Sequence, residues 1–150
     1  MPHFRNSGLL SVGNRIIDSE HRKIKSKIDD VAHLITSKND IALSVACKLL
    51  TDSLQVYFII EEKIAQALDF DFTQHRLAHK NLSSQYHLLK DRLLNLTGLR
   101  TFFQKKDCID SMNSLLIQHI EEDSRPFKLV LDANPYDFQP KELDESNQLH

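Results

Sequence analysis

Six residues able to bind a metal recur at spacings that helices would bring together: His21, Glu61, His75, His79, His119 and Asp123. Glu61 lies in Tyr57-Phe58-Ile59-Ile60-Glu61-Glu62, the histidine pair in His75-Arg76-Leu77-Ala78-His79, and the last two in His119-Ile120-Glu121-Glu122-Asp123. Residues four apart on a helix project from one face. Helices that each offer one or two inward imidazole or carboxylate donors can build a metal centre in a bundle core, and that donor class suits iron. A lone HxxxH pair is weak evidence, because surface histidines match it by chance. The stronger signal is that all six fall on the apolar stripes of their helices. Unpartnered ionisable groups are costly there, and a bound cation would satisfy them together.

The elements that must position these residues are helical. Only three glycines and four prolines occur in 150 residues, and long stretches lack both. The apolar periodicity predicts an all-α chain with helices near 18–37, 40–68, 73–96 and 107–125. Asp18 is expected to cap the first. Its inner face would carry His21, Ile24, Ile28, Val31 and Ile35. The second would face inward with Val45, Leu49, Leu50, Leu54, Tyr57, Glu61, Ile64 and Leu68. The third carries His75, His79, Leu82, Tyr86, Leu89, Leu93 and Leu96. The fourth carries Ile109, Met112, Leu116, His119, Asp123 and Phe127, with Pro126 expected to end or kink it. Short connections imply an up-down-up-down antiparallel four-helix bundle. In such a bundle the six residues share one depth near one end. The expected layout is a single domain over 1–150: an arm over 1–17, the bundle over 18–131, and a polar tail over 132–150 that is expected to fray after Asn134.

Bulk properties narrow the function classes. The net charge is −2 with mixed signs, so there is no basic face for nucleic acid. The N-terminal residues have no long apolar run, which predicts neither a signal peptide nor a transmembrane helix. Cys47 and Cys108 form no metal-type pair and read as reduced thiols, consistent with a cytoplasmic protein. His3, His33, His87 and His150 have no partner pattern and are expected at the surface. Phe102 and Phe103 are expected to tuck against the bundle, Glu20 and Lys23 to be solvated, and Glu62 to be free to support a histidine.

The run Val12-Gly13-Asn14-Arg15-Ile16-Ile17-Asp18-Ser19-Glu20-His21, with Phe58…Glu61-Glu62, His75…His79 and His119-Ile120, resembles hemerythrin over about residues 8–130. The resemblance implies two non-haem iron ions bridged by an oxo or hydroxo group. One would be held by His75, His79 and His119. The other would be held by His21 and the residue at position 57, with Glu61 and Asp123 bridging. It implies O₂ as the ligand, at an open position on the second iron, in an apolar pocket of Ile24, Phe58, Leu115, Leu116 and Ile120.

Three departures from the hemerythrin pattern matter. Tyr57 stands where the family places a histidine ligand. As an anionic phenolate it would favour Fe(III) and weaken reversible O₂ binding; the alternative is a core tyrosine whose hydroxyl bonds elsewhere. Asp123 follows His119 by four residues where the family has five, a place taken here by Ser124. A regular helix would still aim Asp123 at the site, with Glu122 as the substitute. Leu115 replaces a pocket tryptophan. The expected function is therefore binding of O₂ or a related small molecule, for storage, delivery or sensing. The alternatives are an oxidant-handling centre acting on hydrogen peroxide and a lapsed, partly loaded site in an interaction module.

Overall fold

The computed structural model describes residues 10–98, 100–141 and 143. The described residues are all-helical: α1 (Arg15–Leu34), α2 (Asp40–Ala67), α3 (Thr73–Asn95), α4 (Phe102–Gln118), a π-helical turn (His119–Asp123) and α5 (Arg125–Asp132). α1 packs on α2, α2 on α3, α3 on α4, and α4 back on α1. One apolar cluster lies among them.

α1 starts at Asn14, whose Oδ1 accepts from the amides of Ile16 (3.0 Å) and Ile17 (3.1 Å). This satisfies donors that the first helical turn leaves without partners. Asp18, the expected cap, lies inside the helix and is buried. Its carboxylate accepts from the Val12 amide (2.7 Å), the Ser11 hydroxyl (2.7 Å) and the Tyr136 hydroxyl (3.0 Å). It thereby ties both flanking segments to α1. The expected fraying beyond Asn134 is not seen in the described part of the tail. The Arg15 amide donates to the Tyr136 carbonyl (2.8 Å), and Asn14 Nδ2 donates to the Phe138 carbonyl (3.0 Å). His3 and His150, and much of the expected arm and tail, lie outside the described residues.

Asn39 caps α2 through the Ala42 amide (2.9 Å). The inward stripe of α2 is Leu43, Ala46, Cys47, Leu50, Leu54, Tyr57, Glu61 and Ile64. Val45 and Leu49, expected inside, are 52% and 46% exposed. In a helix apolar on more than one side, periodicity alone leaves the facing ambiguous. The length and composition of α2 would also allow it to cross a membrane. Its polar residues Tyr57 and Glu61 are nevertheless fully buried against the neighbouring helices.

α4 begins five residues before the expected Asp107, so Phe102 and Phe103 are helical and exposed rather than tucked in. Pro126 sits in the first turn of α5, where its missing N–H costs nothing. It starts a helix rather than ending one. Both cysteines are free and buried, and burial raises the Cys47 thiol to about 11. His33 and His87 are exposed. Glu20 is buried and accepts from Lys23 (2.8 Å) instead of being solvated.

Candidate metal centre

Glu61 from α2, His75 and His79 from α3, and His119 from the π turn each offer a ligand atom, and these atoms all lie within 4.8 Å of one another. All four side chains are buried. Helical spacing explains the convergence: His75 and His79 are one turn apart on a face that looks at Glu61. Their Nε2 atoms both contact Glu61 Oε1, His79 at 2.8 Å. Aromatic rings wall the cluster. Phe58 stacks on His79 (centroids 4.1 Å apart), and Phe72 lies against His75 (4.7 Å) and His79 (5.3 Å). Phe127 closes the His75 side at 5.8 Å. Such rings exclude water and hold the imidazoles in place.

The Tyr57 hydroxyl lies at the edge of this cluster. It donates to Glu61 Oε2 (2.9 Å) and lies 3.1 Å from His21 Nε2 and 3.0 Å from His119 Nε2. The other nitrogens of both histidines are already engaged. His21 Nδ1–H donates to the Leu10 carbonyl (2.6 Å), and His119 Nδ1–H donates to Asp123 Oδ2 (3.0 Å). A neutral imidazole with its proton on Nδ1 presents a lone pair at Nε2. One phenolic proton therefore faces three acceptors: a carboxylate oxygen and two imidazole nitrogens. Buried acceptors without donors are unfavourable, and a cation would satisfy them. Fixing a ring through its second nitrogen is how proteins orient metal-binding histidines.

The electrostatics fit a site that welcomes positive charge. Burial alone would raise Glu61, but hydrogen bonds from His75 and His79, and their charge, hold it well below the usual carboxylate value. Burial, reinforced by the Glu61 charge and hydrogen bond, pushes Tyr57 well above the usual phenol value; the nearby Ser124 hydroxyl acts the other way. The hydrogen bond from His119 lowers Asp123.

Asp123 is not brought into the cluster. The expectation that it shares the inward face of His119 assumed a regular helix, and this turn is π-helical. The Ser124 amide donates to the His119 carbonyl (3.0 Å), a bond spanning five residues. The extra residue in the turn rotates Asp123 outward and Ser124 inward. Asp123 is 42% exposed and reaches His119 only from outside, whereas Ser124 is fully buried. The Ser124 hydroxyl has no well-aligned hydrogen-bond partner. His21 is buried but joins the cluster only through Tyr57. Glu62 accepts from Arg76 Nε (2.6 Å) rather than supporting a histidine.

Of the expected pocket residues, Ile24, Leu116 and Ile120 are buried in the core, and Phe58 stacks on His79. Leu115 lines a groove of about 540 Å³ that includes His119, Asp123, Asn81, Gln85 and Gln118. A second groove of about 480 Å³ runs between α2 and α3 to His79 and Phe58. Sequence reasoning missed the Leu10 carbonyl, which as backbone leaves no residue-type signal. It also missed Phe72, which lies in what reads as a loop.

The residues present fit one cation well: three imidazoles, one carboxylate, and a phenol oxygen at their edge. Donors sharing a metal at bond lengths near 2.1 Å lie roughly 3 Å apart, much as the Tyr57 oxygen lies from Glu61 Oε2 and His119 Nε2. Of the other expected donors, His21 reaches the cluster only through Tyr57, and Asp123 faces outward.

The buried histidines imply a pH dependence for the metal-free protein. Burial, the largest cause in each case, holds His21 and His79 below the ordinary value of 6.5. Below that pH the unfolded chain binds more protons than the folded one, so stability is present above it and lost as pH falls. The expected slope is at most about 1.4 kcal/mol per pH unit for each histidine. Denaturant titrations of metal-free protein across this range measure it. Stability unchanged between about pH 7 and about pH 5 would contradict it.

Comparison with family models, with curated proteins and with solved structures gives no match to this chain.

Proposed function

We propose that this protein is a hemerythrin-like non-haem iron protein that binds O₂ or a related small molecule. Its helices would form an up-down-up-down antiparallel four-helix bundle, a reading supported by the closed sequence of contacts among α1, α2, α3 and α4. The observation that carries the metal reading is the buried convergence of Glu61, His75, His79 and His119. Iron is favoured by its chemistry, because mixed imidazole and carboxylate donors suit it.

Iron held there would supply an open coordination position for a small ligand. The protein's own part is to orient and to exclude water. Asp123 fixes His119 through Nδ1, and Phe58 and Phe72 hold His79 and His75. The groove lined by Asn81, Gln85 and Gln118 gives a polar approach beside His119. Tyr57 at the edge of the donor set specifically favours a second reading, a centre that handles oxidants such as hydrogen peroxide. A phenolate donor stabilises Fe(III) over Fe(II).

Anaerobic addition of Fe(II), followed by air and by hydrogen peroxide in separate samples, tests both. A reversible spectral change with O₂ supports binding, and repeated peroxide consumption with iron retained supports the second reading. No iron uptake at all would refute both.

A further inference from the structure

We infer that the centre holds one metal ion per chain, at Glu61, His75, His79 and His119, and that the Tyr57 and Ser124 hydroxyls fill the place a second ion would need. This rests on the metal reading above and departs from the dinuclear set that the hemerythrin resemblance implies. Three observations carry it.

The first is charge. Two ions of charge two or more in a buried site need several anionic donors. Among the described residues the buried carboxylates are Asp18, Glu20 and Glu61. Asp18 is taken by the Val12 amide and the Ser11 and Tyr136 hydroxyls, and Glu20 by Lys23. Glu61 remains, with the Tyr57 phenol as the one further group at the donor set that can become anionic, and together they offset one ion rather than two.

The second is the π turn. It brings Ser124 inward, an uncharged hydroxyl with no well-aligned partner, and turns Asp123 out to the far nitrogen of His119. A regular helix would have presented a carboxylate at the same level. Ser124 is fully buried at the one place from which a second bridging carboxylate could come from this segment.

The third is Tyr57. Its ring is fully buried, and its oxygen lies between His21 Nε2 and the other donors. A second ion at His21 would have only His21 and that same Tyr57 oxygen as donors of its own side, with Glu61 shared and no further buried carboxylate among the described residues. His21, anchored by the Leu10 carbonyl, then stands against the Tyr57 oxygen, with its Nε2 3.1 Å away.

The test is a metal count on the full chain, loaded anaerobically with Fe(II), desalted, air-oxidised and examined by electron paramagnetic resonance. The expected result is one iron per chain with a half-integer-spin ferric signal. A Tyr57→His, Ser124→Asp double variant adds an imidazole and a carboxylate at the vacated place. It is expected to take up two irons and to lose most of that signal through antiferromagnetic coupling. Two irons per chain in the unaltered protein, without the signal, would overturn the inference and leave the iron reading standing. No iron would overturn both. A folded double variant that still binds one iron would overturn the assignment of Tyr57 and Ser124. If the double variant fails to fold, the count on the unaltered chain decides.

Discussion

Replacing His75 or His79 with alanine is expected to abolish stoichiometric metal binding. Each histidine is one of four converging donors, and both contact the same oxygen of Glu61. Loss of a partner outside the ligand set already costs about 10–100-fold in metal affinity, so loss of a direct donor is expected to exceed about 100-fold. The change also removes a hydrogen bond from a fully buried carboxylate, which costs the metal-free protein about 1–3 kcal/mol. Thermal unfolding with and without Fe(II) separates the two effects. The unaltered protein should be strongly stabilised by metal, because an ion that binds only the folded state raises stability with its concentration. The variants should melt lower without metal and show little response to it. Retention of the unaltered protein's metal content in both variants would remove these residues from the site.

The second large effect is expected in colour. Tyr57 Oη is 2.9 Å from Glu61 Oε2 and 3.0 Å from His119 Nε2, the spacing of donors that share an ion. A phenolate bound to Fe(III) gives a broad charge-transfer band in the visible, so the oxidised protein should be purple or violet rather than yellow. Tyr57→Phe should remove the band while Glu61, His75, His79 and His119 still hold iron. Without metal the same variant takes away the one proton shared among Glu61, His21 and His119, so it should also lower the stability of the metal-free protein. An unchanged visible spectrum in Tyr57→Phe would refute ligation and leave Tyr57 as a core residue that hydrogen-bonds His21.

Much of this organisation is legible in the residues, and the misses have identifiable physical causes. The stripes Ile24-Ile28-Val31 and Leu50-Leu54-Tyr57-Glu61 mark the buried faces of α1 and α2, because burial imposes the helical repeat directly. The same repeat predicts that Glu61, His75, His79 and His119 meet. Val45 and Leu49 mislead because an apolar residue on a helix need not face the core. At the start of α4, Thr101 is a residue type that caps helices, but its hydroxyl donates to the Gly98 carbonyl (2.8 Å) and makes no cap bond to the first turn. Asp18 has the chemistry of a cap but is needed four residues later, to hold Val12 and Tyr136. The π turn is the costliest miss. The expectation assumed a regular four-residue repeat, and a turn closed over five residues exchanges a carboxylate for a hydroxyl at the inward position. His21 keeps its place in the core, yet its role changes with that exchange, because its nearest partner in the site is the Tyr57 oxygen.

The most direct measurement is a crystal structure of iron-loaded protein with diffraction data collected on both sides of the iron absorption edge. The anomalous difference map is expected to place iron within bonding distance of Glu61 and the Nε2 atoms of His75, His79 and His119. Absence of an anomalous peak there, in crystals of protein shown to contain iron, would contradict the assignment.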